Sequence, residues 1–186
     1  HLPGRISLGT RKAGKGSDPM KNTAARRICL AALFAASIYV FTAYIHVPSH
    51  TGYTHVGDAF LYLAACVLPA PYAAAAGAIG AGLADLLSGY GIWAPGTVII
   101  KALTAFCFTS KKETIVNRRN LLGIVPALVL CVGGYYLYEA IITANFITPA
   151  LGIPGYLTQV ALSAIVYALL GHALDRAGLK KKLGEI

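Results

Sequence analysis

A nearly uninterrupted apolar stretch, residues 57–101, most constrains how this chain can fold. It reads GDAFLYLAACVLPAPYAAAAGAIGAGLADLLSGYGIWAPGTVIIK and contains three charged residues, Asp58, Asp85 and Lys101. Charged side chains in such a run cost free energy unless they are paired or face a cavity, so they indicate a functional site by default. Two turn-forming interruptions, Pro-Ala-Pro and Ser-Gly-Tyr-Gly, divide the stretch into three hydrophobic segments. We predict that these segments are membrane helices joined by short turns.

The composition extends this interpretation to the whole chain. Hydrophobic residues make up 56% of the 186 residues and charged residues 12%, whereas about a quarter of an average soluble domain is charged. The chain can supply about six apolar segments for membrane crossings, which need about 17 to 25 residues each. We therefore predict an all-α membrane protein, with no soluble catalytic domain beside the membrane part.

The distribution of the +9 net charge favours a membrane topology over a nucleic-acid partner. From Met20 onward, every Lys and Arg except Lys101 precedes the first apolar segment, follows the fourth, or lies at the C-terminus. Cytoplasmic loops of membrane proteins carry this excess of Lys and Arg. We predict six transmembrane helices, for which the rule places both termini in the cytoplasm and the loops at 46–57, 88–95 and 143–154 on the external side.

The N-terminal residues differ in character from the rest of the chain. Residues 1–19 are rich in Gly, Lys, Arg and Ser, lack apolar periodicity, and precede the only methionine, Met20. We predict that 1–19 is a leader foreign to the natural protein and that 20–186 forms a single membrane domain.

No motif for catalysis or metal binding stands out. The four cysteines form no close pair of the metal-ligand kind, and the three histidines of the loop at 46–57 match no standard ligand spacing. The chain also lacks the Gly-x-x-x-x-Gly-Lys-Ser/Thr motif that binds nucleotide phosphates. We therefore expect no enzyme activity, no metal and no cofactor in this chain.

The predicted topology gathers unusual residues in one layer near the external surface. Asp58, Asp85 and Glu139 lie near the external ends of their segments. Lys101 lies about one and a half turns into the fourth segment. The external loops add Tyr53, His55, Tyr90, Trp93 and Asn145. A small polar ligand captured from outside would meet carboxylates, an amine and aromatic faces in this layer.

A structural alternative to that ligand site is a set of internal ion pairs with an interfacial belt of aromatic residues. For a single tyrosine, the belt is the simpler interpretation. For Glu139 and Lys101 we favour a ligand site, because a buried charge requires a partner.

The first predicted span, residues 28–45, carries a strip of small residues. Its members form two overlapping Ala-x-x-x-Ala pairs, namely Ala31, Ala32, Ala35 and Ala36. Small residues four positions apart allow helices to approach closely in lipid. The residues alone leave open whether this alanine strip packs within the chain or against another protein.

Together these features resemble the substrate-binding (S) components of energy-coupling factor (ECF) transporters, in particular their riboflavin-type and queuosine-precursor-like group. The resemblance runs from Met20 to the C-terminus and is carried by Gly-Asp-Ala, Ala-Asp-Leu-Leu-Ser-Gly-Tyr, Ala-Pro-Gly-Thr-x-x-x-Lys and the alanine strip. It implies a multi-pass subunit in the plasma membrane of a prokaryote, which captures a vitamin-like molecule at the outer face. It also implies a transmembrane coupling subunit and two ATPases as partners, which use ATP while the S component topples to release its ligand inside.

The resemblance implies roles for individual residues as well. The alanine strip would dock the coupling subunit, and the loop at 48–56 would close over the ligand. The implied substrate contacts are Tyr53, His55, Asp85, Trp93, Lys101, Tyr135, Tyr138, Glu139 and Asn145. For Asp85, anchoring the backbone N–H groups of 88–90 is an equal alternative.

The implied substrates are flat nitrogen heterocycles: queuosine precursors, hydroxymethylpyrimidine, pyridoxine vitamers and riboflavin, of which we favour a queuosine precursor. Two other classes of function stay open from the residues alone. These are a small intramembrane enzyme and a membrane scaffold without a ligand.

Overall fold

Helices account for most of the chain in this computed structural model, which describes residues 19–48 and 53–184. In chain order the helices are α1 (Pro19–Ala43), α2 (Asp58–Val67), α3 (Ala70–Leu87), α4 (Ala94–Ala105), α5 (Arg118–Thr143), α6 (Ile153–Arg176) and α7 (Leu179–Leu183). A 3₁₀ helix (Thr148–Gly152) precedes α6. Two short strands, β1 (His46–Pro48) and β2 (Tyr53–His55), pair antiparallel between α1 and α2. The predicted helical class is confirmed, while the leader predicted at 1–19 lies almost wholly outside the described residues.

Among the described residues, four helical segments are long and apolar enough to cross a membrane, namely Thr23–Ala43, Ala70–Leu87, Arg118–Thr143 and Thr148–Arg176. Each of the six predicted spans coincides with one of α1 to α6, but α2 and α4 contain only 10 and 12 residues. Such helices are about 15 and 18 Å long, roughly half the thickness of a bilayer's hydrocarbon core. The chain is thus a multi-pass helical protein by composition, whereas six full crossings and cytoplasmic termini stay predictions.

The short helix α2 lies in the interior of the bundle. Nine of its ten residues are buried, and the side chains of Leu61 and Tyr62 have no exposed surface. It packs against α1, α3, α4 and α6. A helix that ends at membrane depth is tolerated in such a position, because protein rather than lipid surrounds its terminal backbone groups.

The helices α1 and α3 approach each other closely through a glycine. A Cβ atom at Gly80 would lie 2.5 Å from the backbone oxygen of Ala35 and 2.9 Å from the Cβ of Ile38, so no larger residue fits there without a shift. One edge of the alanine strip therefore packs inside the protein. Its other edge, Ala32 and Ala36, is exposed, and all four alanines line an apolar groove between α1 and α3.

The β-hairpin between α1 and α2 contacts α1 and α6. The backbone N–H of Gly57 donates to Nδ1 of His55 at 3.1 Å. A Cβ atom at Gly57 would lie only 2.0 Å from Oγ1 of Thr42, so glycine is required where this turn meets α1. The Thr54 hydroxyl reaches the backbone oxygen of Gly155 on α6 at 3.4 Å. Of the loop at 48–56, which we expect to close over the ligand, residues 49–52 lie outside the described residues.

Candidate ligand-binding site

A cavity opens where the β-hairpin meets α3, α4, α5 and α6. It holds about 340 Å³ of empty space including its open mouth. Its lining residues are Tyr53, His55, Asp85, Tyr90, Trp93, Thr97, Tyr135, Tyr156 and Gln159. Five of these nine residues are Tyr or Trp, so the walls present flat aromatic faces.

The aromatic rings on the wall support one another. Tyr135 and Tyr156 stack with ring centroids 5.1 Å apart and planes inclined by 15°. Trp93 meets Tyr135 edge-on at 6.3 Å, and Tyr53 lies 4.6 Å from Tyr90. Stacked and edge-to-face arrangements are those that aromatic pairs prefer. The rings are therefore placed by protein contacts alone and form a prearranged surface for a flat ligand.

Asp85, near the end of α3, brings a carboxylate to this aromatic wall. It is only 5% exposed. Its Oδ1 accepts a hydrogen bond from the hydroxyl of Tyr53. Its Oδ2 is buried and has no hydrogen-bond partner among the residues that the structure describes. A buried carboxylate oxygen that lacks a donor costs free energy, so a ligand N–H or O–H group placed there would recover it.

The alternative role predicted for the Asp85 side chain, anchoring the N–H groups of 88–90, does not appear among the described hydrogen bonds. The backbone N–H of Tyr90 instead donates to the backbone carbonyl of Asp85 at 2.9 Å. The main chain therefore holds this turn. The carboxylate is left to Tyr53, to the neighbouring Thr97 side chain and to the cavity.

His55 contributes a neutral imidazole from β2. Burial lowers its pKa to about 4, although the nearby Asp58 carboxylate acts in the opposite direction. Because Nδ1 accepts the Gly57 N–H, the ring proton lies on Nε2, which makes that atom a donor. Burial, together with Asp85, also raises the pKa of Tyr53, so its hydroxyl keeps its proton. Within the described residues, no group of three or more His, Cys, Asp and Glu side chains could hold a metal ion.

Lys101 lies behind the cavity wall rather than in it. Its Nζ is 2.7 Å from Oδ1 and 2.8 Å from Oδ2 of Asp58, and both residues are at most 2% exposed. Asp58 occupies the first turn of α2, where the helix dipole favours a negative charge. The ion pair thus neutralises the lysine internally. The predicted contact between Lys101 and a ligand is not supported by this geometry.

Gln159 connects the ion pair to the cavity. Its Nε2 donates to Oδ2 of Asp58 at 2.9 Å, while the residue also lines the cavity. With the amide nitrogen directed at Asp58, the amide oxygen is the end left to accept a hydrogen bond from a ligand. Lys101 also lies 5.3 Å from the centroid of the Tyr135 ring, which supports that ring from behind.

Three further predicted contacts do not line the cavity. The Tyr138 hydroxyl donates to the backbone oxygen of Ile92 at 2.6 Å, so this tyrosine supports the turn that carries Trp93. Asn145 is exposed, and its Oδ1 accepts the backbone N–H groups of the next loop at 2.8 and 3.2 Å. Glu139 is buried but does not border the cavity.

The structure therefore brings together five of the nine predicted contacts, namely Tyr53, His55, Asp85, Trp93 and Tyr135. Sequence reasoning missed Thr97, Tyr156 and Gln159 as wall residues and named Tyr90 only as part of the external layer. One available signal was the three-residue spacing of Tyr156 and Gln159, which places them on one helix face. The other was the presence of a glutamine in an otherwise apolar span.

The sequence model of one protein family matches most of the chain. Its description is ECF-type riboflavin transporter, S component, and the matched residues are 22–176. This range contains every residue that lines the cavity. No curated protein sequence matches the chain significantly.

Proposed function

Because the chain belongs to the family of ECF-type riboflavin transporter S components, we propose that it captures a small, flat, donor-rich nitrogen heterocycle for an ECF importer. Members of this family are transporter subunits rather than enzymes. We infer the ligand class from the buried Asp85 carboxylate in a cavity lined by Tyr and Trp rings. Its Oδ2 has no hydrogen-bond partner among the described residues.

The wall chemistry matches the edge and the face of such a ring. The aromatic side chains supply stacking surfaces, and a cationic ring would gain further from the electron-rich faces of Tyr and Trp. Asp85 and the amide oxygen of Gln159 accept hydrogen bonds, and charge-assisted bonds to a carboxylate are the stronger kind. His55 supplies a donor for a carbonyl or ring nitrogen.

The charges around the cavity disfavour anionic ligands. Asp58 already neutralises Lys101, so this lysine does not offset the carboxylate of Asp85. A phosphate ester would place a second negative charge beside Asp85 in a partly desolvated site. Among the ligands implied by the family group, rings with in-plane amino or N–H groups fit best. These are a deazaguanine-type queuosine precursor, which we favour, and hydroxymethylpyrimidine, ahead of a pyridoxine vitamer or riboflavin.

Transport would follow from docking on the exposed edge of the alanine strip. Ala32 and Ala36 border an apolar groove that is open to a partner helix, and small residues permit close helix approach. We propose that the transmembrane coupling subunit docks there and that two ATPases drive toppling and inward release with ATP. The setting would be the plasma membrane of a prokaryote.

The single tryptophan of the chain lines the cavity, so Trp93 fluorescence reports directly on the site. The purified chain is titrated with a deazaguanine base, an aminopyrimidine, pyridoxine and riboflavin, and material retained after purification is identified by mass spectrometry of the denatured protein. We expect saturable quenching by at least one donor-rich ring. We also expect Asp85→Asn to weaken the ligand affinity about 10- to 100-fold, because a hydrogen bond to a charged group is lost.

Glu113→Gln serves as the matched control, because this exposed carboxylate lies outside the cavity and should leave quenching unchanged. Two results would overturn the proposal. One is the absence of saturable quenching by every heterocycle, with only lipid retained, as a ligand-free scaffold requires. The other is undiminished affinity in Asp85→Asn.

A further inference from the structure

A second hollow lies at the end of the bundle where the basic segments of the chain meet. Of the described residues, five cationic ones and one carboxylate border it, namely Arg27, Lys111, Lys112, Lys180, Lys181 and Glu113. It has about 1740 Å³ of empty space including its open mouth. With five positive charges against one negative charge, the hollow attracts an anion.

One lysine builds this hollow rather than serving as a free charge. Nζ of Lys180 donates to the backbone oxygens of Cys66 at 2.9 Å and Ser110 at 2.7 Å. These bonds tie α7 to the end of α2 and to the loop after α4. The hollow therefore has a floor fixed by hydrogen bonds across three parts of the chain.

The other four cationic side chains have no carboxylate partner in the described part of the chain, where Lys101–Asp58 is the ion pair found. The Nε of Arg27 is buried and makes no hydrogen bond to a described residue. The planar guanidinium of arginine presents its donors in a fork that can bind two oxygens of a phosphate or a carboxylate. The hollow thus offers positive charge that no ion pair with a described residue neutralises.

The basic hollow adjoins the apolar groove between α1 and α3. The guanidinium carbon of Arg27 lies 5.9 Å from the centroid of the Tyr72 ring, and Tyr72 lines the groove. Ile28, which follows Arg27, lines the groove as well. An elongated apolar surface therefore ends at a cluster of cationic side chains.

We propose that this junction binds an acidic phospholipid, with the phosphate at Arg27, Lys111 and Lys112 and one acyl chain along the groove. Basic pockets beside transmembrane helices bind acidic lipid headgroups, and each cation near the headgroup contributes about 1 kcal/mol. The acyl chain would cover Ala32 and Ala36, the edge that we assign to the coupling subunit. A bound lipid would then compete with docking of the coupling subunit. This competition rests on the proposed function, whereas the lipid site itself is independent of it.

Native mass spectrometry of the full chain in detergent tests the site. Palmitoyl-oleoyl phosphatidylglycerol is compared with phosphatidylcholine carrying the same chains. We expect a clear preference for phosphatidylglycerol that falls about tenfold or more in the variant Arg27→Gln/Lys111→Gln/Lys112→Gln. The control variant Arg118→Gln/Arg176→Gln/Lys182→Gln removes the same charge from exposed positions outside the hollow and should retain the preference. Thermal unfolding verifies that both variants fold.

Two further arms separate the lipid from free phosphate. Inorganic phosphate at equal concentration should not displace phosphatidylglycerol, because it lacks the acyl chain. Ala36→Trp, which fills the groove, should weaken lipid retention, whereas Leu33→Trp at an exposed position of α1 outside the groove should not. Equal loss in both charge variants, complete displacement by phosphate, or no preference over phosphatidylcholine would each overturn the proposal. The last result would favour an acidic protein partner for these cations.

Discussion

The hydroxyl of Tyr53 donates a hydrogen bond to Oδ1 of Asp85 and thereby joins the β-hairpin to the end of α3. The two residues are 32 positions apart in the chain, and both line the cavity. The bond occupies one carboxylate oxygen and leaves the other for a ligand. Binding at Asp85 and the position of the hairpin are therefore coupled through a single contact.

Replacing Tyr53 by Phe should loosen this connection while keeping the aromatic ring. A hydrogen bond to a carboxylate contributes about 1.5–3 kcal/mol, so its loss should weaken the affinity by at most roughly 10- to 100-fold. We expect a faster dissociation rate, because the hairpin is then held less firmly over the ligand. Stopped-flow measurement of Trp93 fluorescence checks this. Tyr44→Phe, at an exposed tyrosine, is the control, and unchanged dissociation in Tyr53→Phe would contradict the coupling.

Removal of Lys101 should destabilise the protein more than it affects ligand contacts. Lys101→Met leaves Asp58 buried without its counter-charge, which costs about 3–5 kcal/mol in the free energy of unfolding. The double variant Asp58→Asn/Lys101→Met removes both charges and should recover much of that loss. Unfolding in detergent, followed by circular dichroism, measures both values.

The control for that experiment is Lys112→Met, because an exposed lysine should change stability by only about 0.5 kcal/mol or less. A Lys101→Met protein with wild-type stability and lost ligand binding would refute the structural role. It would instead support the ligand contact predicted for Lys101 from the sequence.

His55 predicts a pH dependence of stability with a definite sign. Its pKa is about 4 in the folded protein, lowered by burial from an ordinary value of 6.5. The unfolded chain therefore binds a proton between these two values while the folded chain does not, so stability is complete above pH 6.5 and is lost as the pH falls towards 4. The shift corresponds to a loss of about 2 kcal/mol at pH 5.

The variant His55→Asn isolates this contribution. Its side-chain oxygen can accept the Gly57 N–H in place of Nδ1, but it does not titrate in this range. Unfolding free energies of both proteins are measured from pH 7.5 to 4.5. We expect the difference between them to change by about 2.5 kcal/mol over this range, and parallel curves would show that folding does not lower the pKa of His55.

The two edges of the alanine strip should respond differently to a bulky residue. Ala32 is exposed on the groove, so Ala32→Trp should abolish uptake in cells that carry the ECF partners while ligand affinity stays within about twofold, as expected for an exposed substitution. Ala35 packs against the core beside Gly80, so Ala35→Trp should lower the unfolding temperature as well. Uptake assays, ligand titrations and melting curves on both variants decide this. Normal uptake by Ala32→Trp would show that this edge is not part of the docking surface.

Local properties of the sequence determined the helical class, the positions of the helices and much of the residue chemistry at the site. The six predicted segments coincide with α1 to α6 because the apolar runs that favour helices, and the Pro- and Gly-containing turns that end them, are local features of a few residues. Tyr53, Asp85 and Trp93 were identifiable for the same reason, since aromatic and charged residues at the ends of apolar segments are conspicuous in a one-dimensional pattern.

Only the tertiary structure decided which charges neutralise each other and which polar groups face the cavity. Asp58 meets Lys101 from 43 positions away and Gln159 from 101 positions away, while Tyr138 turns to a backbone carbonyl instead of the cavity. Such pairings depend on the rotation and depth of each helix. Helices that are apolar on nearly every side carry little periodicity to specify that rotation, so the packing of the whole bundle determines it.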